Sequence, residues 1–283
     1  MPLLMFKEIG EGVLILPGSP TTLIVPYDNG YWVVDPGYPR ERAKDITKIG
    51  RIEGILLTHF HSDHVNAAID LKAKKFAPLI ETGPILSSKM RLSMSYGASS
   101  TNKLLPLVAE DVHVDVAFNP PLKLGPGRVI PLPGHTFGQV GYVTDSGIFY
   151  AADAFFGDKL LKTVKIPFYL DYVEALKTLY WIRERVREFE RLVPSHGPIV
   201  EGRRAEKLLD LNIEVMEELP KKVLEVLSSK PLSAEGITAK IVRSDDPTSV
   251  VLSSVTVKSV LSMLFDKGEV KPIVEDGLLW KLA

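Results

Sequence analysis

Three of the six histidines in this sequence lie within six residues, directly after a short apolar run. Residues 54–58 (Gly-Ile-Leu-Leu-Thr) have the length and composition of a buried strand. Residues 59–64 (His-Phe-His-Ser-Asp-His) follow without a spacer. Because a strand of this kind is buried within a sheet, the polar cluster is expected at the end of that strand, at the edge of the sheet. The motif therefore predicts a sheet-based fold with a polar site at one edge.

The histidine-rich loop offers possible metal ligands on two sides. Alternation along the backbone turns His59 and His61 toward a common space. Asp63 and His64, at the start of a following helix, face the other side of the same loop. Such a loop can serve two metal ions roughly 3.5–4 Å apart, the separation found in two-metal hydrolases. Neither ion would have enough ligands from this loop alone, so the motif predicts partners elsewhere in the chain.

Candidate partners occur in three further loops. His135, Asp153 and His196 each follow a short apolar run, in loops bounded by Gly or Pro. Strands and helices alternate up to about residue 219, which indicates an α/β fold with two similar halves. An Asn-Gly pair at residues 29–30, between two apolar runs, predicts a β-hairpin.

Composition limits the chemistry further. The 283 residues include no cysteine, so strong metal ligands can only be His, Asp or Glu, and a reducing, cytoplasmic location is expected. Lys plus Arg is 34 and Asp plus Glu is 35, and this balance argues against a chain whose main partner is nucleic acid or an anionic membrane. No segment has the roughly 18 consecutive apolar residues of a membrane span. No signal peptide is expected either.

The C-terminal part has a different pattern. A helix is predicted over residues 202–219, and Pro220 marks a domain boundary, which divides the chain into a catalytic domain (1–219) and a small domain (220–283). Three short helices and a hairpin predicted in the second domain follow the order of a winged helix. Residues 65–75 have helical composition, and residues 84–107 look like a helical or irregular insertion without an assigned role.

The ligand pattern resembles the metallo-β-lactamase superfamily over about residues 10–200. The resemblance implies an αββα sandwich, followed here by the winged-helix-like domain. It implies that one metal takes His59, His61 and His135, that a second takes Asp63, His64 and His196, and that Asp153 bridges the two. Asp35 matches the family position that supports the metal loop from behind. His113 is interpreted as an ordinary exposed histidine on a strand, and Thr136 is expected to make a local hydrogen bond.

Nitrogen and oxygen ligands without sulfur favour two Zn²⁺ ions and tolerate Fe or Mn. The mechanism expected from the resemblance uses a metal-bridging hydroxide that attacks an electrophilic carbonyl carbon or phosphorus. The first metal then polarises the substrate oxygen and the second stabilises the leaving group. Asp63 is the expected catalytic residue, because it can hold the nucleophile and accept its proton.

Three substrate classes remain open. We favour a hydrolase of small esters, thioesters or lactones, similar to the glyoxalase II group, although no basic cluster for a glutathione carboxylate is evident. The alternative is a phosphodiesterase or single-strand endoribonuclease, because lactamase-β-like endoribonucleases also carry a winged-helix-like domain. Residues 221–283 contain nine Lys or Arg against eight Asp or Glu, so RNA is possible but not favoured as a partner. A mononuclear-iron sulfur dioxygenase is a minority alternative. A homo-oligomer is possible.

Overall fold

The computed structural model describes residues 5–98 and 110–283. Within these residues the strands form two mixed sheets and a separate hairpin. The first sheet contains, in spatial order, β1 (Lys7–Gly10), β2 (Val13–Leu16), β3 (Thr22–Tyr27), β4 (Gly30–Val34), β5 (Ile52–Leu56), β6 (Lys75–Pro78) and β7 (Val116–Phe118). The second contains β8 (Leu122–Lys123), β9 (Gly127–Pro131), β10 (Val140–Thr144), β11 (Ile148–Ala152) and β12 (Arg191–Pro194). The hairpin pairs β13 (Val270–Val274) with β14 (Leu278–Leu282).

Helices cover the outer faces of both sheets. Those of the first half are α1 (Arg42–Ile46), α2 (Ser62–Val65), α3 (Leu79–Leu86) and α4 (Ser88–Tyr96). Those of the second half are α5 (Asp158–Val164), α6 (Tyr172–Arg185), α7 (Gly202–Leu227), α8 (Ala234–Val242) and α9 (Pro247–Asp266). Short 3₁₀ turns lie at Thr47–Ile49, Asn66–Asp70 and Val186–Glu188.

Pairing directions change where the connections change. β1 to β4 form an antiparallel meander, and the predicted Asn-Gly hairpin is confirmed, because Tyr27 pairs with Gly30 across the turn. From β4 to β7 the strands are parallel, which helical or long crossovers allow. The second sheet is antiparallel except for the parallel pair β11 and β12.

Alternating side chains of the strands divide the interior into three apolar clusters. In β4, Trp32 and Val34 pack between the two sheets, whereas Val33 faces α1 and the short helices after β5. In β11, Tyr150 packs between the sheets, whereas Phe149 faces the helices of the second half. Because both faces of each sheet bury apolar side chains, the central strands are mostly apolar and the sheets lie between two helical layers.

The helix expected to end before Pro220 continues to Leu227, so that predicted end is wrong. A proline inside a helix cannot donate to the carbonyl four residues earlier, which here belongs to Met216. The hydroxyl of Tyr172 donates to that carbonyl at 2.9 Å and so replaces the missing donor. Tertiary packing of α6 on α7 therefore compensates for the proline.

Two other expectations for the first half need correction. Residues 65–75 are not one helix, because α2 ends at Val65, a 3₁₀ turn follows, and β6 begins at Lys75. Within the insertion at residues 84–107, the chain forms the end of α3 and then α4, and residues 99–107 lie outside the described part.

The C-terminal helices share one apolar cluster with the rest of the second half. Val223, Ile237 and Leu261 belong to the same cluster as Leu179 and Leu209, on the other side of residue 220. Among the described residues, α9 is the one helix long and apolar enough to span a membrane by length and composition. Helices packed inside a protein meet the same two criteria, and α9 places its buried residues in this cluster.

Candidate metal centre

The residues predicted as ligands come from loops at the ends of strands in both sheets. Asp35 follows β4, the histidine-rich loop follows β5 and leads into α2, His135 lies between β9 and β10, Asp153 follows β11, and His196 follows β12. Because these loops meet at one edge of the two stacked sheets, residues more than 150 positions apart in sequence come together. The structure brings all eight predicted site residues to this edge.

The candidate ligand atoms form groups of metal-site dimensions. The atoms of His59, His61, His135 and Asp153 all lie within 4.8 Å of one another. Those of Asp63, His64 and His196 form a second group, and those of Asp35, His59 and His64 a third, on the same criterion. The first two groups contain the same residues that the sequence resemblance assigns to the first metal with its bridging carboxylate and to the second metal.

Asp153 lies between the two groups. Its Oδ1 is 3.3 Å from His64 Nε2, and its Oδ2 is 3.2 Å from His135 Nε2 and 3.6 Å from His196 Nε2. Burial raises the pKa of Asp153, but the surrounding imidazoles of His196, His64 and His135 lower it by more, so the net pKa lies well below its usual value. The Ser195 hydroxyl donates a hydrogen bond to this ionised carboxylate. Ser195 was not predicted from the sequence as a residue of the site.

Asp35 holds two of the histidines in a fixed orientation. It is completely buried and accepts hydrogen bonds from the Thr58 amide at 2.8 Å and the Thr58 hydroxyl at 2.6 Å. Its Oδ2 also lies 2.7 Å from His64 Nδ1 and accepts from the Tyr150 hydroxyl at 3.1 Å. Because the Thr58 hydroxyl donates to Asp35, it accepts from His59 Nδ1 at 3.0 Å. These contacts direct the Nε2 atoms of His59 and His64 into the site.

Two other histidines are oriented by partners that the sequence did not reveal. His135 Nδ1 donates to the Phe168 carbonyl at 2.7 Å, and His196 Nδ1 lies 2.6 Å from the Ser19 hydroxyl. Both rings therefore present Nε2 to the centre. His61 is the exception, because its Nδ1 faces the centre, 2.8 Å from His135 Nε2.

The donor set fits metal ions. Nε2 of His59 is buried and has no hydrogen-bond partner within residues 5–98 and 110–283, and Nε2 of His64 is buried with the Asp153 carboxylate 3.3 Å away. A buried polar atom without a partner is costly, and metal ions bound by the two ligand groups would give both nitrogens a partner. Burial, with repulsion from neighbouring imidazoles, lowers the pKa of His59 well below its usual value and that of His61 to about 3. Both rings are therefore neutral, the form that binds metals.

Glu81 joins the two ligand loops and was missed by the sequence analysis. This buried carboxylate accepts from the Phe60 amide at 3.0 Å, the Thr136 hydroxyl at 2.8 Å and the Gly138 amide at 2.7 Å. Phe60 lies between His59 and His61, and Thr136 follows His135. The expected local hydrogen bond of Thr136 is therefore wrong, since its partner is 55 residues away. A single acidic residue after an apolar run was the only local signal.

Replacing Glu81 with Gln should change how stability depends on pH. Burial raises the pKa of Glu81 from 4.5 to about 7, although its three donors lower it. Because the folded-state pKa is raised, the stability that depends on protonated Glu81 is fully present below about pH 4.5. This stability is lost as pH rises through about 7. Denaturant unfolding of the metal-free protein should show the wild type losing about 3 kcal/mol relative to Glu81→Gln across this range. Glu275→Gln, at an exposed position, should follow the wild type; parallel curves for Glu81→Gln and wild type would contradict the prediction.

His113 lies apart from these groups. Its side chain is 73% exposed and 3.4 Å from Asp115, which confirms the interpretation as an ordinary exposed histidine. The strand expected around it is wrong, because β7 begins only at Val116.

Comparison with known families gives one match that covers most of the chain. The family model described as "Metallo-beta-lactamase superfamily" matches residues 16–216. A hydroxyacylglutathione hydrolase from Alkalilimnicola ehrlichii is 32% identical over 126 residues, which are 44% of this chain and 41% of that protein. The beta-lactamase-like protein 2 homolog of Drosophila melanogaster is 24% identical over 153 residues, 53% of this chain and 46% of that protein. The chain thus spans less than half the length of these curated relatives.

Solved structures are similar over nearly the whole chain. A metallo-beta-lactamase family protein from Thermus thermophilus has a TM-score of 0.69 at 15% identity, covering 99% of this chain and 97% of that one. A beta-lactamase domain protein from Burkholderia ambifaria has a TM-score of 0.67 at 18% identity, covering 98% and 93%. At such low identity the similarity establishes the fold, an α/β arrangement with two mixed sheets and flanking helices.

Proposed function

This chain belongs to the metallo-beta-lactamase superfamily, and we propose that it is a binuclear zinc hydrolase that cleaves an ester, thioester or lactone of a small substrate. Membership and the His/Asp cluster make it a metal-dependent hydrolase. The observation that carries the finer proposal is the pair of ligand groups on either side of Asp153. One carboxylate in contact with histidines of both groups is the arrangement that a two-metal site requires.

Zinc is proposed because the ligands are imidazole and carboxylate, with no sulfur in the chain. Iron and manganese accept the same ligands, so they remain alternatives, and a single iron would favour the sulfur dioxygenase. Metal affinity is expected to fall with decreasing pH. The carboxylates of Asp153, Asp35 and Asp63 outweigh burial and raise the pKa of His64, so a proton competes with the metal for that ring.

Two divalent ions bound by these side chains would supply Lewis acidity and would lower the pKa of a water molecule toward neutrality. The chain itself supplies Asp63, which is 26% exposed and has its Oδ2 3.2 Å from His196 Nε2. Burial raises the pKa of Asp63, but His64 and His196 lower it by more, so the carboxylate is ionised at neutral pH. An ionised carboxylate at this position supports the proposal that Asp63 orients the attacking water and accepts its proton.

A small ester, thioester or lactone is favoured over RNA by the charges around the site. Strand scission of RNA requires cationic groups that hold the phosphate backbone. Among the described residues that line the cleft at the metal centre, the cation is Arg91, and it is hydrogen-bonded to main-chain carbonyls. The relatives named hydroxyacylglutathione hydrolase support a thioester as one candidate bond.

For residues 220–283 we propose a winged-helix-like unit that acts as a cap beside the cleft. The order of the end of α7, α8, α9 and the β13–β14 hairpin supports this topology. We also propose a cytoplasmic location, since the chain has no cysteine, and no membrane partner, since basic and acidic residues balance to a net charge of −1.

The proposed activity predicts metal-dependent turnover of acyl substrates. Zinc-loaded protein should hydrolyse a simple thioester, S-lactoylglutathione or a homoserine lactone faster than bis-p-nitrophenyl phosphate or labelled single-stranded RNA. A chelator should abolish the activity and added zinc should restore it. Faster cleavage of RNA, with a steep salt dependence, would instead support the endoribonuclease.

A further inference from the structure

A cavity of about 300 Å³ opens directly from the metal centre. Its inner wall consists of ligand side chains, among them Asp63 and Asp153. The remaining wall is mostly apolar and comes from α4, from α5 with the loops before and after it, and from the first turns of α9. Its apolar residues include Leu92, Phe156, Leu160, Val164, Phe168 and Leu252. A volume at the lower end of the range for small-molecule sites suits one small group and not a polymer.

The cavity wall offers no cation for an acidic substrate within the described residues. Arg91 is the one positively charged side chain in the wall apart from the histidines. It is buried, and its guanidinium donates to the main-chain oxygens of Pro84 at 3.2 Å, Ile85 at 3.0 Å and Glu110 at 3.4 Å. These bonds join α3, α4 and the chain before β7, so Arg91 stabilises the wall. Away from the metal centre, a carboxylate or phosphate group would lack an ion-pair partner in this wall, whereas an apolar group would gain free energy by burial.

The C-terminal helix α9 is a fixed part of this wall. The Thr256 hydroxyl donates to the Pro167 carbonyl at 2.8 Å and accepts from the Tyr169 amide at 2.7 Å. Within residues 167–169, the side chain of Phe168 lines the cavity, and the main-chain carbonyl of Phe168 accepts the hydrogen bond from His135 Nδ1. One helical turn before Thr256, half-buried Leu252 faces the same cavity. The C-terminal part of the chain therefore shapes the space next to the ligands.

We propose that this cavity binds an apolar acyl group of the substrate and that Leu252 is a specificity-determining residue. The inference rests on the proposed hydrolase function and specifies the substrate class for the same site. The acyl carbonyl lies at the metal centre, and the hydrocarbon chain extends along Leu160 and Leu252, away from the ligand wall. Each buried methylene raises kcat/KM by about threefold to fourfold until the cavity is full.

Chain-length dependence tests this directly. With zinc-loaded protein, kcat/KM should rise by about threefold to fourfold per methylene in a series of thioesters whose acyl chain is lengthened from acetyl. The kcat/KM of the longer members should exceed that of S-lactoylglutathione. Leu252→Gln, of similar size but polar, should lower the ratio of longer-chain to acetyl turnover by about tenfold. Leu278→Gln, at a residue that is 57% exposed in β14, should leave the ratio as in the wild type. A flat series, or a Leu252→Gln ratio equal to that of the wild type, would overturn the inference.

A binding measurement separates this inference from the hydrolase proposal. NMR titration of the metal-free protein with hexanol and ethanol needs no catalysis and no charged group on the ligand. We expect hexanol to bind more tightly than ethanol, to shift signals of α5 and α9, and to bind more weakly to Leu252→Gln. If no ester or thioester is hydrolysed, the proposed function fails, and the titration alone then supports or overturns the apolar cavity. Equal affinity of the two alcohols, or no shift in α5 and α9, overturns it.

Discussion

Replacing Asp153 with Asn is expected to reduce bound metal from about two ions per chain to about one or fewer. It should also lower kcat/KM by more than about a hundredfold. This loss is larger than the loss of about 10- to 100-fold expected for a residue that only orients a ligand. Asn keeps the size of the side chain but removes the negative charge that lies within 3.6 Å of His64, His135 and His196. Elemental analysis and steady-state kinetics on the same preparation measure both effects.

A matched substitution tests whether these effects are specific to Asp153 or follow from the loss of any aspartate. Asp145 is exposed, and its ion-pair partner within the described part of the chain is Lys123 at 3.9 Å, so Asp145→Asn should retain both ions and full activity. An Asp153→Asn protein that binds two ions per chain with wild-type turnover would show that Asp153 does not join the two ligand groups.

Replacing Asp35 with Asn should weaken metal binding by about 10- to 100-fold, although Asp35 is expected to act through His64 and not on substrate. An ionised carboxylate accepts from Thr58, Tyr150 and His64 Nδ1 at once, whereas the amide nitrogen of Asn is a donor. The amide oxygen can keep the Oδ2 position and accept from His64 Nδ1, but the amide nitrogen then faces the Thr58 N–H, donor against donor, and the negative charge that supports the His64 ring as a ligand is lost. Competition with a chelator measures the affinity.

The same substitution should also destabilise the metal-free protein, by about 1–3 kcal/mol, because a buried donor is left without a partner. Tyr150→Phe provides a graded comparison, since it removes only one of the donors to Asp35. We expect its metal affinity to lie between those of Asp35→Asn and the wild type. Equal metal affinity in Asp35→Asn and wild type would rule out the positioning role, whatever happened to stability.

Much of the candidate site could be predicted from the sequence, because its residues follow recognisable strands. The apolar runs before the histidine-rich loop, Asp153 and His196 indicate buried strands, and parallel neighbours bring their ends to one edge. The alternation of apolar side chains between the two clusters of β4 and β11 likewise agrees with a sheet that is covered on both faces.

The contacts that orient the ligands could not be predicted, because they join residues far apart in sequence and have no local pattern. Ser19 and His196 are 177 positions apart, and Glu81 and Thr136 are 55 apart. Phe168 contributes its main-chain carbonyl, which any residue type supplies. In helix α7 a local pattern was present but misleading. Proline usually ends a helix, yet α7 continues past Pro220 because the Tyr172 hydroxyl donates to the carbonyl that the proline leaves without a donor.

The residues that form the wall of the cavity could not be predicted from the sequence either. Leu252 belongs to a helix whose apolar residues predict burial, and nothing in that pattern indicates that one of them faces the metal centre. Hydrogen bonds of Thr256 to Pro167 and Tyr169, and of Ser253 to Ile166, place that face of α9 beside the site.

The central claim is that one chain binds two metal ions that share Asp153. Elemental analysis of protein reconstituted with zinc and freed of excess metal tests it most directly, alongside His64→Ala and the exposed-histidine control His113→Ala. We expect about two zinc ions per chain for the wild type and for His113→Ala, and about one or fewer for His64→Ala. One ion per chain in all three proteins, or iron as the only metal that binds, would contradict the binuclear zinc hydrolase.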